Sequence, residues 1–166
     1  YTMPSTISKI ASLIISLWIS KVFLFSLPYK FTDHPDTQHI FSTIGQWMSD
    51  TINNSLGDFF THFGAVLVGS VELVASCLLL AASLLWILNA MKVTKSAGGF
   101  QTLYFLSGLL STAIMSGAAF FHLFTPLGIE VIHEGKNDGG SLFYAAVSIL
   151  FLGLVLAFLN RPAKTQ

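Results

Sequence analysis

Glu72 lies inside an apolar run from Gly64 to Leu88, whereas the other acidic residues of the chain fall in polar stretches. An ionised carboxylate near the middle of a hydrocarbon slab costs roughly 2.5–3.5 kcal/mol on insertion scales. Such a group must be protonated, paired or set in a polar interior, so Glu72 marks a candidate site. Lys21, within the apolar run from Ile7 to Leu27, is the basic counterpart. Burial would raise the pKa of a carboxyl and a nearby ammonium would lower it, which suits ligand binding or a proton relay. His62 and His122 sit at the ends of two further apolar runs, the minimum for bis-histidine haem ligation. Glu130-x-x-His133-Glu134 places a carboxylate and an imidazole at i, i+3, as carboxylate-bridged metal sites do. It occurs once, in a polar stretch, where four-helix di-iron proteins need it twice inside the bundle. His34 and His39 add imidazoles without a fixed geometry. The reading is therefore no metal site, with His62, His122, Glu130 and His133 as the residues that would otherwise bind one. No catalytic nucleophile stands out, because Ser70, Ser76 and Ser116 fit helix packing better.

These groups must be positioned by apolar elements. The 166 residues are 53% hydrophobic and only 10% charged, with a mean hydropathy of +0.71, where a soluble domain carries about a quarter charged residues. Zero net charge without a basic patch excludes nucleic acid as a partner. The single cysteine, Cys77, excludes a disulfide or C-x-x-C pair within this chain. A spanning helix needs about 20 apolar residues, and four stretches qualify: about 7–27, 60–88, 100–124 and 141–159. No small-x-small cleavage signal follows the first, so it reads as a retained span. The fold class is all-α, one domain over 1–166, an integral membrane four-helix bundle. Between the first two spans, Asp33-His34-Pro35 is a helix-start signal. Ile40, Ile44, Trp47 and Met48 then recur at helical spacing, predicting a short interfacial helix or one packed over the bundle mouth. No convincing strand is visible. Lys9, Lys92, Lys95, Arg161 and Lys164 fall on one side of a four-span protein, and seven of the eight acids fall in the loops of the other. The positive-inside rule then places both termini in the cytoplasm.

Orientation converts position into depth. Lys21 is about 9 Å inside the outer end of the first span and Glu72 roughly 12–18 Å inside the second, at 1.5 Å per residue. A Lys21–Glu72 pair is expected. Ala65, Gly69, Glu72 and Ser76 share one stripe of the second span, and Ser111, Met115, Ala118 and His122 one stripe of the third. Small residues at such spacing let membrane helices approach closely. The same stripes read equally as a packing seam or as the wall of a polar cavity.

Several motifs carry a resemblance. Lys30-Phe31-Thr32-Asp33-His34-Pro35 followed by Ile40-Phe41-Ser42-Thr43-Ile44-Gly45, Gly69-Ser70-Val71-Glu72-Leu73, and Ile114-Met115-Ser116-Gly117-Ala118 with Phe121-His122-Leu123 keep the order seen in DoxX-like membrane proteins. Leu127-Gly128-Ile129-Glu130-Val131 and Asp138-Gly139-Gly140 extend the resemblance over most of the chain. It implies a four-helix integral membrane protein whose relatives include small subunits of thiosulfate:quinone oxidoreductase and of oxidative-stress complexes. It maps the family's recurring acid onto Glu72 and its outer-loop lysine and histidine onto Lys30 and His34. It also implies a bacterial inner membrane.

The functional expectation is an accessory subunit of a membrane redox or envelope complex, or a homo-oligomer, in the lipid bilayer. No cofactor is intrinsic, and a quinone or lipid would occupy a cavity near Glu72, Lys21, His122 and Ser76. The alternative is a small proton-coupled transporter with Glu72 as titrating group, although the sequence has no inverted repeat or broken helix. A third class, an enzyme using Glu72 and His122 as an acid–base pair, rests on the polar cluster alone.

Overall fold

The computed structural model describes residues 6–93 and 99–162; Lys95 and Lys164, used above for orientation, lie outside them. Five helices follow in order: α1 (Thr6–Phe31), α2 (Pro35–Thr51), α3 (Asn54–Ala90), α4 (Gly99–Phe124) and α5 (Ser141–Leu159). A two-stranded antiparallel hairpin, β1 (Ile132–His133) with β2 (Lys136–Asn137), lies between α4 and α5. Helices α1, α3, α4 and α5 are long and apolar enough to cross a membrane. They form a ring in which α1 packs on α3 and α5, and α4 on the same two neighbours, while α2 packs along α3. The chain is thus the all-α four-helix bundle that its apolar runs require, consistent with an integral membrane protein.

Three boundaries differ from the sequence reading. Helix α1 continues through Pro28 to Phe31, because a proline this near the end removes few intrahelical bonds. The carbonyl of Pro28 accepts the Thr32 N–H at 3.1 Å and its hydroxyl at 2.6 Å. Asp33, at φ 55°, then turns the chain out of the helix. Helix α3 begins at Asn54 rather than near Phe60. Asn53 caps it by accepting the Leu56 N–H at 2.8 Å, and the polar first turn hides this start from hydropathy. At 37 residues, α3 is about 55 Å long, well beyond the ~30 Å hydrocarbon core, and α2 packs on its first turns. The hairpin is the third difference. Glu134 (φ 50°) and Gly135 (φ 74°) occupy its turn, the left-handed pair that a type I′ hairpin demands.

Helix α2 starts as its sequence dictates. Pro35 takes the first turn and His34 caps it, Nδ1 accepting the Asp36 N–H at 3.2 Å. Ile44 and Met48 pack with Leu127 and Val131 into a small apolar cluster beside Trp47, Phe60 and Phe121. Before α5, Asp138 accepts the N–H groups of Val131, Gly140 and Leu142 at 2.9, 2.9 and 3.0 Å. Burial opposes ionisation of its carboxyl, but these donors outweigh it and hold its pKa below the usual carboxylate value.

The bundle buries small and hydroxylated residues and turns large apolar ones outward. Ser16, Ser76, Ser107, Ser111, Ala75 and Ala82 are fully buried, whereas Leu17, Val74, Leu84, Leu109, Phe151 and Phe158 are exposed. Between α4 and α5 the backbones meet through glycine. A Cβ on Gly108 would lie 2.7 Å from the Gly153 carbonyl oxygen, and one on Gly153 would lie 2.8 Å from that of Gly108. We expect Gly108→Val to destabilise the bundle by about 1–3 kcal/mol through overpacking, whereas Gly117→Ala, with open space around it, is near neutral. Thermal unfolding of the detergent-solubilised variants measures the difference.

Candidate functional site

At the end where α2 and the hairpin sit, the four spans line a cavity of about 700 Å³. Its walls are mostly apolar, with Phe23, Ile114, Met115 and Ile149 at depth, and its polar groups are few. At one wall, Lys30 Nζ lies 2.7 Å from Glu72 Oε2, with side chains only 16% and 3% exposed. Ser26 donates to the same carboxylate oxygen at 2.8 Å and accepts from Lys30 Nζ at 2.8 Å. Ser26 and Lys30 are four residues apart on α1, hence on one face. Three groups therefore close one hydrogen-bonded triangle, in which the buried charge of Glu72 is matched.

The expected Lys21–Glu72 pair is corrected by this arrangement: Lys30 is the partner. Nine positions separate Lys21 from Lys30, about half a turn off at 3.6 residues per turn, so both cannot face α3. Lys21 is exposed at the cavity edge, with Nζ 5.8 Å from the centre of the Trp18 ring, a cation–π contact. His122 does line the cavity. Its Nδ1 lies 2.6 Å from the Gly128 carbonyl, which only accepts, so Nδ1 carries the proton and Nε2 of the neutral ring is left as an acceptor. Ser76 is fully buried one turn from Glu72 and donates to the Glu72 carbonyl at 2.8 Å. His34 caps α2 beside Tyr29, their ring centres 4.8 Å apart. Neither Ser76 nor His34 borders the cavity. His62 is exposed, its Nδ1 2.8 Å from the Asp58 carbonyl, while Glu130 accepts from Asn137 at 2.7 Å.

Four further groups belong to the site although the sequence reading passed over them or gave them another role. Ser26 completes the triangle. Tyr29, Asp36 and His133 border the cavity where α1, α2 and the hairpin meet. Asp36 Oδ2 accepts the Glu134 N–H at 2.8 Å and pairs with His133 Nδ1 at 2.9 Å, while the Tyr29 hydroxyl donates to Glu134 at 2.8 Å. One carboxylate thus fastens the hairpin to α2. The Ser26-x-x-x-Lys30 spacing is the only local signal for any of these; the remainder are joined across 97 to 105 residues.

The Glu134 N–H is the largest influence on Asp36, ahead of the opposing effect of burial and the help of His34 and His133, and the carboxyl titrates below its ordinary value. A depressed folded pKa gives stability that is complete above the unfolded value, about 3.9, and is lost as pH falls through the folded value. The amide resonance of Glu134 is expected to hold its folded position down to that range and to shift only below it, and to be displaced at neutral pH in Asp36→Asn. For the buried pair, Lys30→Met strands the Glu72 charge and should cost about 3–5 kcal/mol. Adding Glu72→Gln should recover much of it, and Lys21→Met should stay within about 0.5 kcal/mol. A double-mutant cycle read by denaturant unfolding in detergent checks all three.

Compared with family models, curated proteins and solved structures, the chain finds no match in any of the three.

Proposed function

We propose that the protein binds the polar head of a membrane-soluble amphiphile, a quinone or a lipid, in the cavity beside Glu72, and serves as an accessory subunit of a membrane redox or envelope complex. One observation carries the reading: a large apolar-walled cavity holds a buried Lys30–Ser26–Glu72 triangle with His122 on another wall. Pockets that take apolar ligands share this plan, with many hydrophobic contacts and a small number of fixed polar groups for orientation. A hydroxyl head accepts from Lys30 and donates to Nε2 of His122, and a carbonyl head accepts from Lys30 alone, while the tail lies along Phe23, Ile114 and Ile149.

The accessory role is supported by the DoxX-like order of motifs and by the little mass outside the spans: α2, the hairpin and short connections. Positive charge at the termini and in the α3–α4 connection supports a cytoplasmic location for both ends. In a bacterial cell this places the cavity mouth toward the periplasm at the inner membrane.

Purification in a mild detergent followed by native mass spectrometry and organic extraction tests both parts. The expected result is a discrete assembly, larger than the monomer and carrying redox or envelope subunits, with a quinone or lipid lost in Glu72→Gln. A bare monomer with no retained amphiphile, or Glu72→Gln with undiminished occupancy, overturns the reading.

A further inference from the structure

The half of the bundle away from the cavity carries a line of buried hydroxyls among apolar core residues such as Ile19, Leu79 and Leu156. Beginning near the chain termini, Asn160 Nδ2 donates to Ser12 at 2.8 Å. One turn on, Ser16 donates to the Leu79 carbonyl at 3.1 Å and lies 2.9 Å from Ser83, to which the Tyr104 hydroxyl donates at 3.0 Å. Ser107, Ser20, Ser111 and Ser76, all buried, follow toward the cavity. The contact of Ser83 with Tyr104 fixes the register of the antiparallel α3 and α4. Seven residues further along each helix, Ser76 faces the level of Ser111. Glu72 is one turn beyond Ser76.

The spacing of this lane suits water. Ser12, Ser16 and Ser20 are each four residues apart, about 6 Å along the axis. Two successive hydrogen bonds of ordinary length, joined by one water, span about 5.6 Å. Two hydroxyls are left open within it. The oxygens of Ser20 and Ser111 are buried and have no hydrogen-bond partner. A stranded hydroxyl costs about 1–3 kcal/mol, and a serine in a helix can avoid that by bonding the carbonyl four residues back. Ser70 and Ser116, on the exposed side of the same bundle, do so at 2.7 and 2.8 Å. Ser20 and Ser111 forgo that bond in the stretch between the Ser16–Ser83–Tyr104 contacts and Ser76, as sites for buried water would.

We infer that this lane holds a file of water molecules and is a proton path from the terminal end of the bundle to Glu72. A proton enters at Ser12 and Asn160 and passes along waters and hydroxyls, each oxygen releasing one proton as it accepts another. It reaches the Glu72 carboxylate, loosening the hold of Lys30, and is released from there into the cavity that Glu72 lines. Lys30 across the triangle, Lys21 and His122 at the cavity wall, and Tyr29, Asp36 and His133 where α2 and the hairpin meet it are the other titratable groups at that end; Tyr104 lies within the lane. The inference goes beyond the cavity reading, since the lane stands whatever the cavity binds.

Proteoliposomes loaded with a pH-sensitive dye and clamped electrically test it. Proton entry should exceed that of protein-free vesicles, fall to that baseline in Glu72→Gln, and fall about tenfold or more in Ser20→Ala/Ser111→Ala, more than 1.4 kcal/mol on the barrier. Wild-type flux at the protein-free level, or a double variant as fast as wild type, overturns the path. Water-edited solid-state NMR on the wild-type protein gives a reading that needs no variant. Polarisation should reach Ser20 and Ser111 well before Leu156, which is equally buried and does not border the cavity, and equal build-up overturns the inference. Retained amphiphile with no proton flux leaves the cavity reading standing and removes the lane.

Discussion

Neutralising the charge of Glu72 is the constraint around which the outer features of this bundle are arranged. A carboxylate 3% exposed in an apolar span needs a cation at contact distance and donors for its oxygens, and α1 supplies both from a single face. That requirement explains why α1 runs on past Pro28: the helix must last to residue 30 to carry the ammonium to α3. It also sets the register of the two helices, since Lys30 and Phe31 pack against Gly69, where a Cβ would approach the Phe31 ring to 3.0 Å. The pair is not by itself a source of great stability, because desolvation offsets most of its attraction. Its effect is specificity: one depth and one rotation of α1 satisfy Glu72.

The remainder of the packing follows from lipid as solvent. With no hydrophobic drive to bury large side chains, close approach of backbones and hydrogen bonds between helices decide the interfaces. The Gly108–Gly153 contact and the buried serines belong together in this sense. Both permit close contacts between helices, as do Gly45 against Gly57 and Gly69 against Phe31 nearer the cavity.

Much of this was legible in the residues. Apolar length gave the four spans, Asp33-His34-Pro35 gave the start of α2, and the stripes Gly69-Glu72-Ser76 and Ser111-Met115-His122 do face inward. The partner of Glu72 is not read from depth alone, because rotation decides which lysine faces α3 and because α1 runs on past residue 27 to Phe31. Wheel geometry alone would have separated Lys21 from Lys30. The hairpin left only Glu134-Gly135 as a trace, a weak signal beside two-residue strands. The contacts of Asp36 with His133 and Glu134 arise from how two distant loops meet, and no local pattern encodes such a meeting.

The seam between α1 and α5 has a consequence for how the molecule is made. Ser12 and Asn160 are 148 residues apart, and Tyr29 reaches Glu134 across 105. At 5–20 residues per second of synthesis, the first span waits about 7–30 seconds for the last. Throughout that interval its serine face has no α5 to pack on, and only the arrival of α3 covers part of it. The ring is therefore closed by its final segment, and the first span is the one most in need of a temporary companion during insertion.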